Sequence, residues 1–206
     1  RAGPHQGGGL MEYVTVEELR GQLADVKEKV AEELLAPAVV AASRAVEDWT
    51  GRSTFGLADV ATARLLRPTG PEVTDVPDIG ALDGLVVETR TGRGAEWRTL
   101  DPDDYQLEPL DAPDRPAYTW TQLAALSGPW PRVGRRPSLR VTARWGWSSV
   151  PEQVKRATLL RAVALYKRRD SPLGVAGFGD FGAMRITRQD SDVVALLAPF
   201  QRVMAA

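Results

Sequence analysis

The stretch LRVTARWGWSSVPEQVKRATLLRAVALYKRRD, residues 139–170, decides the fold, because one hydrophobic period gives way to another inside it. Leu139, Val141 and Ala143 alternate with Arg140, Thr142 and Arg144, the period of a half-buried strand. Gly146 is expected to end it. Ser149 stands three residues before Glu152, the spacing of a capping box, with Pro151 expected in the first helical turn. From residue 157 to 166 the helix that follows is apolar on nearly every side, Arg161 excepted, whereas a surface helix is apolar along one stripe. It is expected to touch two neighbours, with another subunit a candidate for one of them.

Upstream, Thr15 and Glu18 repeat the capping-box spacing, and Val16, Leu19, Leu23 and Val26 follow at helical intervals. A second helix is expected from about Glu32 to Trp49, with Leu35, Val39, Ala42, Val46 and Trp49 on one stripe and Gly51 placed to end it. Pro37 belongs in its first turn or kinks it. Past Gly56 the pattern changes to short alternating segments punctuated by proline and glycine. Strands are expected at residues 60–67, 85–90, 97–100, 105–108 and 118–123, with a hairpin across TGRGA, residues 91–95. Residues 68–80, PTGPEVTDVPDIG, read as turn. The fold class is therefore α+β: a mainly helical core of about four helices with an inserted antiparallel β subdomain. Residues 1–11 are expected to be a disordered leader, an upstream extension or a tag remnant before or at Met11. Residues 12–206 are read as a single domain, helical over 12–56 and 148–206 and β over 57–147.

Composition narrows the function more by exclusion. The 206 residues contain no cysteine, and His5, in the glycine-rich leader, is the only histidine. That removes disulfides, thiolate metal sites, cysteine nucleophiles and most histidine acid–base machinery. No cofactor and no metal are expected, and the chain is read as a non-enzyme. No apolar run is long enough to cross a bilayer, and the leader lacks the apolar stretch of a signal peptide, so a soluble protein made inside the cell with no membrane partner is expected. The net charge is -1, which does not favour a dedicated polyanion binder. Lys27, Lys29, Lys155 and Lys167 are the only lysines, and arginine supplies the rest of the basic residues.

Three stretches invite chemistry. Residues 170–190, DSPLGVAGFGDFGAMRITRQD, hold Gly174, Gly177, Gly179 and Gly182, but they follow a helix instead of a strand and carry no Gly-Lys-Ser/Thr, so a partner-docking loop is preferred to a phosphate cradle. Its alternating end, MRITR, has the pattern of a strand that adds to a partner's sheet. Asp101, Asp103 and Asp104 in DPDD lack the rest of a calcium loop and read as turn formers, as do Asp75, Asp78 and Asp83. Arg132, Arg135, Arg136, Arg140 and Arg144 cluster in sequence with Trp130, Trp145 and Trp147. That mixture binds single strands by charge and stacking, lines a strand beside core tryptophans, or concentrates binding energy at a protein interface. A nucleic-acid-binding accessory protein using Arg132, Arg135 and Arg136 is the alternative function.

Read together and in order, ASRAVEDWTGR at 42–52, DYQL at 104–107, VTARWGW at 141–147 with Val150-Pro151, and RRDSPLGV at 168–175 resemble tailed-phage head–tail connector proteins of the gp6-like adaptor type. The similarity runs from about Tyr13 to Val203. It implies a structural protein of the virion neck, assembled in the host cytoplasm, forming a ring of about twelve copies through heterologous contacts. The ring docks on the portal protein, meets the next neck or tail-completion protein, and passes genomic DNA without reading its sequence. Phe178, Phe181, Met184, Arg185 and Ile186 in the glycine loop, with Phe200, Arg202 and Val203 at the last helix, are the expected portal and subunit contacts.

Overall fold

The structure, a computed structural model, describes residues 11–23, 32–168, 175–176, 184–185 and 191–202. It divides into two units: the described residues up to Ser53 together with those from Val150 onward, and Thr54–Ser149.

The first unit is helical, with α1 (Val16–Gln22), α2 (Glu32–Thr50), α3 (Glu152–Arg168) and α4 (Ser191–Leu197), the last running into a 3-10 turn, Ala198–Phe200. The Thr15–Glu18 capping box is formed on both sides. The Glu18 N–H donates to Thr15 Oγ1 at 3.1 Å, and the Thr15 N–H donates to Glu18 Oε2 at 2.6 Å. Such a cap contributes about 1 kcal/mol. Helix α2 puts Leu35, Val39, Ala42 and Val46 inside, and Gly51, at φ +67°, turns the chain after Thr50. Pro37 lies inside α2 past its first turn, where it withholds the helical donor from the Glu33 carbonyl. Leu19 and Leu23 of the α1 region, Leu35 and Val39 of α2, and Ala162 and Tyr166 of α3 make one core.

One expectation about α3 is corrected. Ser149 does not cap it: the helix starts at Glu152, the Ser149 hydroxyl donates to the Pro116 carbonyl at 3.2 Å, and the Glu152 carboxylate turns to Lys155 Nζ at 2.7 Å. Pro151 holds the N-cap position and Glu152 is the first helical residue instead of the third, so the Ser149–Glu152 spacing is right for a box but the helix starts two residues too late to use it. As expected, α3 touches more than one neighbour: α1 and α2 pack on it, and so does α4.

The second unit is an antiparallel sheet of β1 (Thr62–Leu66), β2 (Val73–Thr89), β3 (Arg98–Thr99), β4 (Tyr105–Glu108), β5 (Trp120–Ala125) and β6 (Leu139–Trp145), ordered β1-β6-β2-β5-β4 with β3 on β2. Alternation in β6 sends Leu139, Val141, Ala143 and Trp145 inward, to meet Ile79, Val87, Trp120 and Leu123. Most of what reads as turn before Gly80 is the start of β2. Thr74, Val76 and Asp78 are buried at every second position, so the strand period is present, but in residues too polar to signal it. The register with β5 shifts between Asp75 and Ile79, which spans Pro77, so the proline sits where the ladder is already interrupted.

Candidate functional site

The arginine–tryptophan stretch does not form one surface. Trp130, Trp145 and Trp147 are all buried. Trp145 Nε1 donates to the Thr62 carbonyl at 2.8 Å, and Trp147 Nε1 donates to Asp78 Oδ2 at 3.3 Å. Neither ring offers a face on which a base could stack, which takes the aromatic half away from a single-strand site.

The arginines part by position. Arg140 and Arg144 fall on the opposite face of β6 from its core residues and are both engaged. Arg140 reaches Glu88, its partner in the β6–β2 register, with both Nε and Nη2. That hydrogen bonding holds the Glu88 carboxyl below the usual carboxylate range. Arg144 Nε donates to the Ala58 carbonyl at 2.9 Å, and its Nη1 lies 3.7 Å from Asp83. Arg132, Arg135 and Arg136 are instead exposed around a turn closed by the Arg136 N–H on the Val133 carbonyl at 3.0 Å. The structure thus brings three of the five together as cations that have no ion-pair partner among the described residues.

Sequence reasoning missed the aromatic that the arginines do use. The Trp97 ring has the Arg90 guanidinium 4.6 Å from its centroid and that of Arg140 at 4.9 Å. Pairing of Glu88 with Thr99 and Thr89 with Arg98 puts Arg90 opposite Trp97 one step further along. The expected 85–90/97–100 hairpin held that signal.

In the helical unit a second polar group fastens the chain before α1 to α2. The Tyr13 hydroxyl donates to Glu47 Oε1, Arg44 Nη1 lies 2.8 Å from Glu47 Oε2, and Arg44 Nη2 donates to the Met11 carbonyl. The Tyr13 N–H donates to Ser43 Oγ at 3.3 Å, and Ser43 Oγ donates to the Val39 carbonyl at 3.0 Å. Burial pushes the Glu47 carboxyl above its usual 4.5, and the Tyr13 hydrogen bond and the Arg44 charge draw it part of the way back. The folded state therefore holds this proton more tightly than the unfolded chain does. Glu47's contribution to stability is greatest below the ordinary glutamate pKa and is lost as pH rises through its folded value. Glu88 runs the other way, its contribution present above the ordinary value and lost as pH falls through its folded value. Urea unfolding across a series from about pH 4 to about pH 7 should show wild type losing ground to Glu47→Gln as pH rises. A constant difference between the two would remove Glu47 from the pH dependence.

Of the expected contact residues, Phe200 is buried in the 3-10 turn, and its carbonyl accepts from Arg52 Nε at 2.7 Å. Arg202 is half-exposed, and its N–H donates to the Thr50 carbonyl at 2.9 Å. Met184 and Arg185 pair antiparallel with Val175 and Ala176. Phe178, Phe181, Ile186 and Val203 lie outside the described residues. A shallow open depression between α3 and α4 is lined by Gln153, Arg156, Leu160, Asp192 and Leu196. Asp101 caps a 3-10 turn, Pro102–Asp104, by accepting from the Asp103 N–H at 3.0 Å, the turn-forming use expected of it. Among the described residues no group of three or more His, Cys, Asp or Glu is arranged to hold a metal, and no helix is long and apolar enough to cross a membrane.

The sequence matches no known family model and no curated protein. The fold is similar to a chain from the neck of an empty gene transfer agent particle, with a TM-score of 0.56 and 18% identity over 94% of this chain and 92% of that one. It is also similar to a chain of the virion of a native gene transfer agent particle, with a TM-score of 0.53 and 17% identity over 94% and 92%. At such identity the likeness establishes a shared fold.

Proposed function

We propose that this chain is a structural protein of the neck of a tailed phage or phage-derived particle, a head–tail connector that acts without catalysis. The observation that carries the proposal is the extent of the fold likeness. It runs over 94% of the chain, helical unit and β unit together, to a chain of a particle neck. In this role copies form a ring by heterologous contacts, dock on the portal and extend the DNA channel toward the tail. Met184, Arg185 and the rest of the glycine loop, with Arg202 and Val203, are the proposed portal and subunit contacts. Phe200 has little surface left to contribute, being 9% exposed.

Sedimentation velocity of the purified protein, alone and mixed with the portal oligomer encoded in the same genome, tests this. Co-sedimentation at a fixed ratio is the expected result. A protein that ignores the portal across the concentration range would overturn the connector role.

A further inference from the structure

We infer that the β1/β6 side of the sheet is an interface for a second copy of this chain, and that it takes the β4 side of that copy, head to tail. In the strand order β1 and β4 stand at the two ends, and among the described residues each pairs on one flank only. A free strand edge is a ready template for pairing unless something blunts or covers it.

The two ends carry opposite charge. The stretch from Trp130 to Arg140 holds four arginines and no acid, and Asp101 to Asp114 holds six acids and no lysine or arginine. On the basic side Arg67, Arg132, Arg135 and Arg136 are exposed, and among the described residues their guanidinium groups make no ion pair or hydrogen bond. Arg67 follows β1 directly, and the Ser138 N–H donates to the Leu66 carbonyl at 3.2 Å, so the arginine turn returns beside the end of that edge strand. On the acidic side Asp103 and Asp114 are exposed and, among the described residues, their carboxylates have no ion-pair partner, while Asp111 is held by Arg115. Each end also presents an uncovered leucine, Leu65 at 57% and Leu110 at 69% exposure.

A net charge of -1 argues that these arginines are matched by the chain's own acids and not kept for a foreign polyanion. Since the matching acids lie at the far end of the sheet, they come from the next copy. Arginine against arginine would repel, which disfavours a two-fold contact through this end. The contact is therefore heterologous, and each copy keeps one end open for another, as a ring requires. The pairing deepens the connector role proposed above by naming its subunit contact.

The test uses the full-length protein, wild type and two double variants, Arg135→Glu/Arg136→Glu and Asp103→Arg/Asp114→Arg, with circular dichroism to verify folding. In sedimentation velocity wild type should self-associate, and less so as salt rises from about 50 mM to about 500 mM. Each variant alone should associate roughly tenfold or more weakly, because like charges then face each other. An equimolar mixture should recover assembly, since a reversed end on one variant meets a reversed end on the other and the native ends still match. Equal association by wild type and both variants would overturn this interface and leave the ring intact. Wild type that stays monomeric at every concentration would overturn the self-pairing, and portal co-sedimentation then judges the connector role separately. Short duplex DNA bound by wild type and lost in Arg135→Glu/Arg136→Glu, with self-association unchanged, would overturn it in favour of nucleic acid.

Discussion

Replacing Gly146 with alanine is expected to destabilise the β unit by on the order of 3 kcal/mol or more, among the largest effects of any single added methyl group. Gly146 follows β6 at φ +115°, where side chains are strained whatever the space around them. Here there is no space: a Cβ would sit 1.8 Å from the Gly56 carbonyl oxygen and 2.8 Å from its carbon, both backbone atoms. Sliding away is blocked, because the Gly146 N–H donates to the Asp78 carbonyl at 2.7 Å and its own carbonyl accepts from Thr119 Oγ1 at 3.0 Å. Tryptophan fluorescence in urea isolates the effect, since all the tryptophans but Trp49 belong to this unit. A fluorescence midpoint equivalent to within about 0.5 kcal/mol of wild type would mean that the chain around Gly56 yields, and that the close approach is not a constraint.

The same position illustrates what could be read in advance. That Gly146 ends a strand was legible, because the alternation up to Trp145 stops there; that it touches Gly56 was not, since no local pattern records an approach across ninety residues of chain. Legible elements share a feature: the signal and the structure it specifies lie within a few residues of each other. Thr15 and Glu18 form their box, β4 covers Tyr105–Glu108 as expected, and α2 starts at Glu32 and stops before Gly51. Where packing decided, the sequence misled. Polar Thr74 and Asp78 are buried in β2 by partners distant in sequence, Thr74 opposite Leu123 of β5 and the Asp78 carboxylate accepting from Trp147, and Ser149 is drawn to Pro116, a residue far away in the chain. The candidate site divides in the same way. Consecutive arginines at the tip of a turn were visible as a cluster, but the burial of three tryptophans and the stacking of Arg90 and Arg140 on Trp97 depend on which strands lie side by side.

Two adjacent leucines in α2 give the second large effect and its control. Leu35→Ala is expected to cost about 2–5 kcal/mol, and Leu34→Ala less than about 0.5 kcal/mol, although the same atoms are removed. Leu35 is completely buried among Leu19, Val39 and Ala162, on the stripe that repeats every three to four residues, so its loss removes apolar burial and leaves a cavity that three helices must close. Leu34 lies a hundred degrees round the same helix and is 47% exposed, so water takes the place of its side chain at little cost. Far-ultraviolet circular dichroism, dominated by the helices, is the probe for this pair, as tryptophan fluorescence is for Gly146→Ala. If Leu35→Ala lowers the dichroism midpoint and leaves the fluorescence midpoint in place, the helical unit loses its core without the sheet following. A common shift of both midpoints would mean instead that the two units unfold as one. Equal costs at Leu34 and Leu35 would contradict the burial stripe itself, and with it the way α2 is seated against α1 and α3.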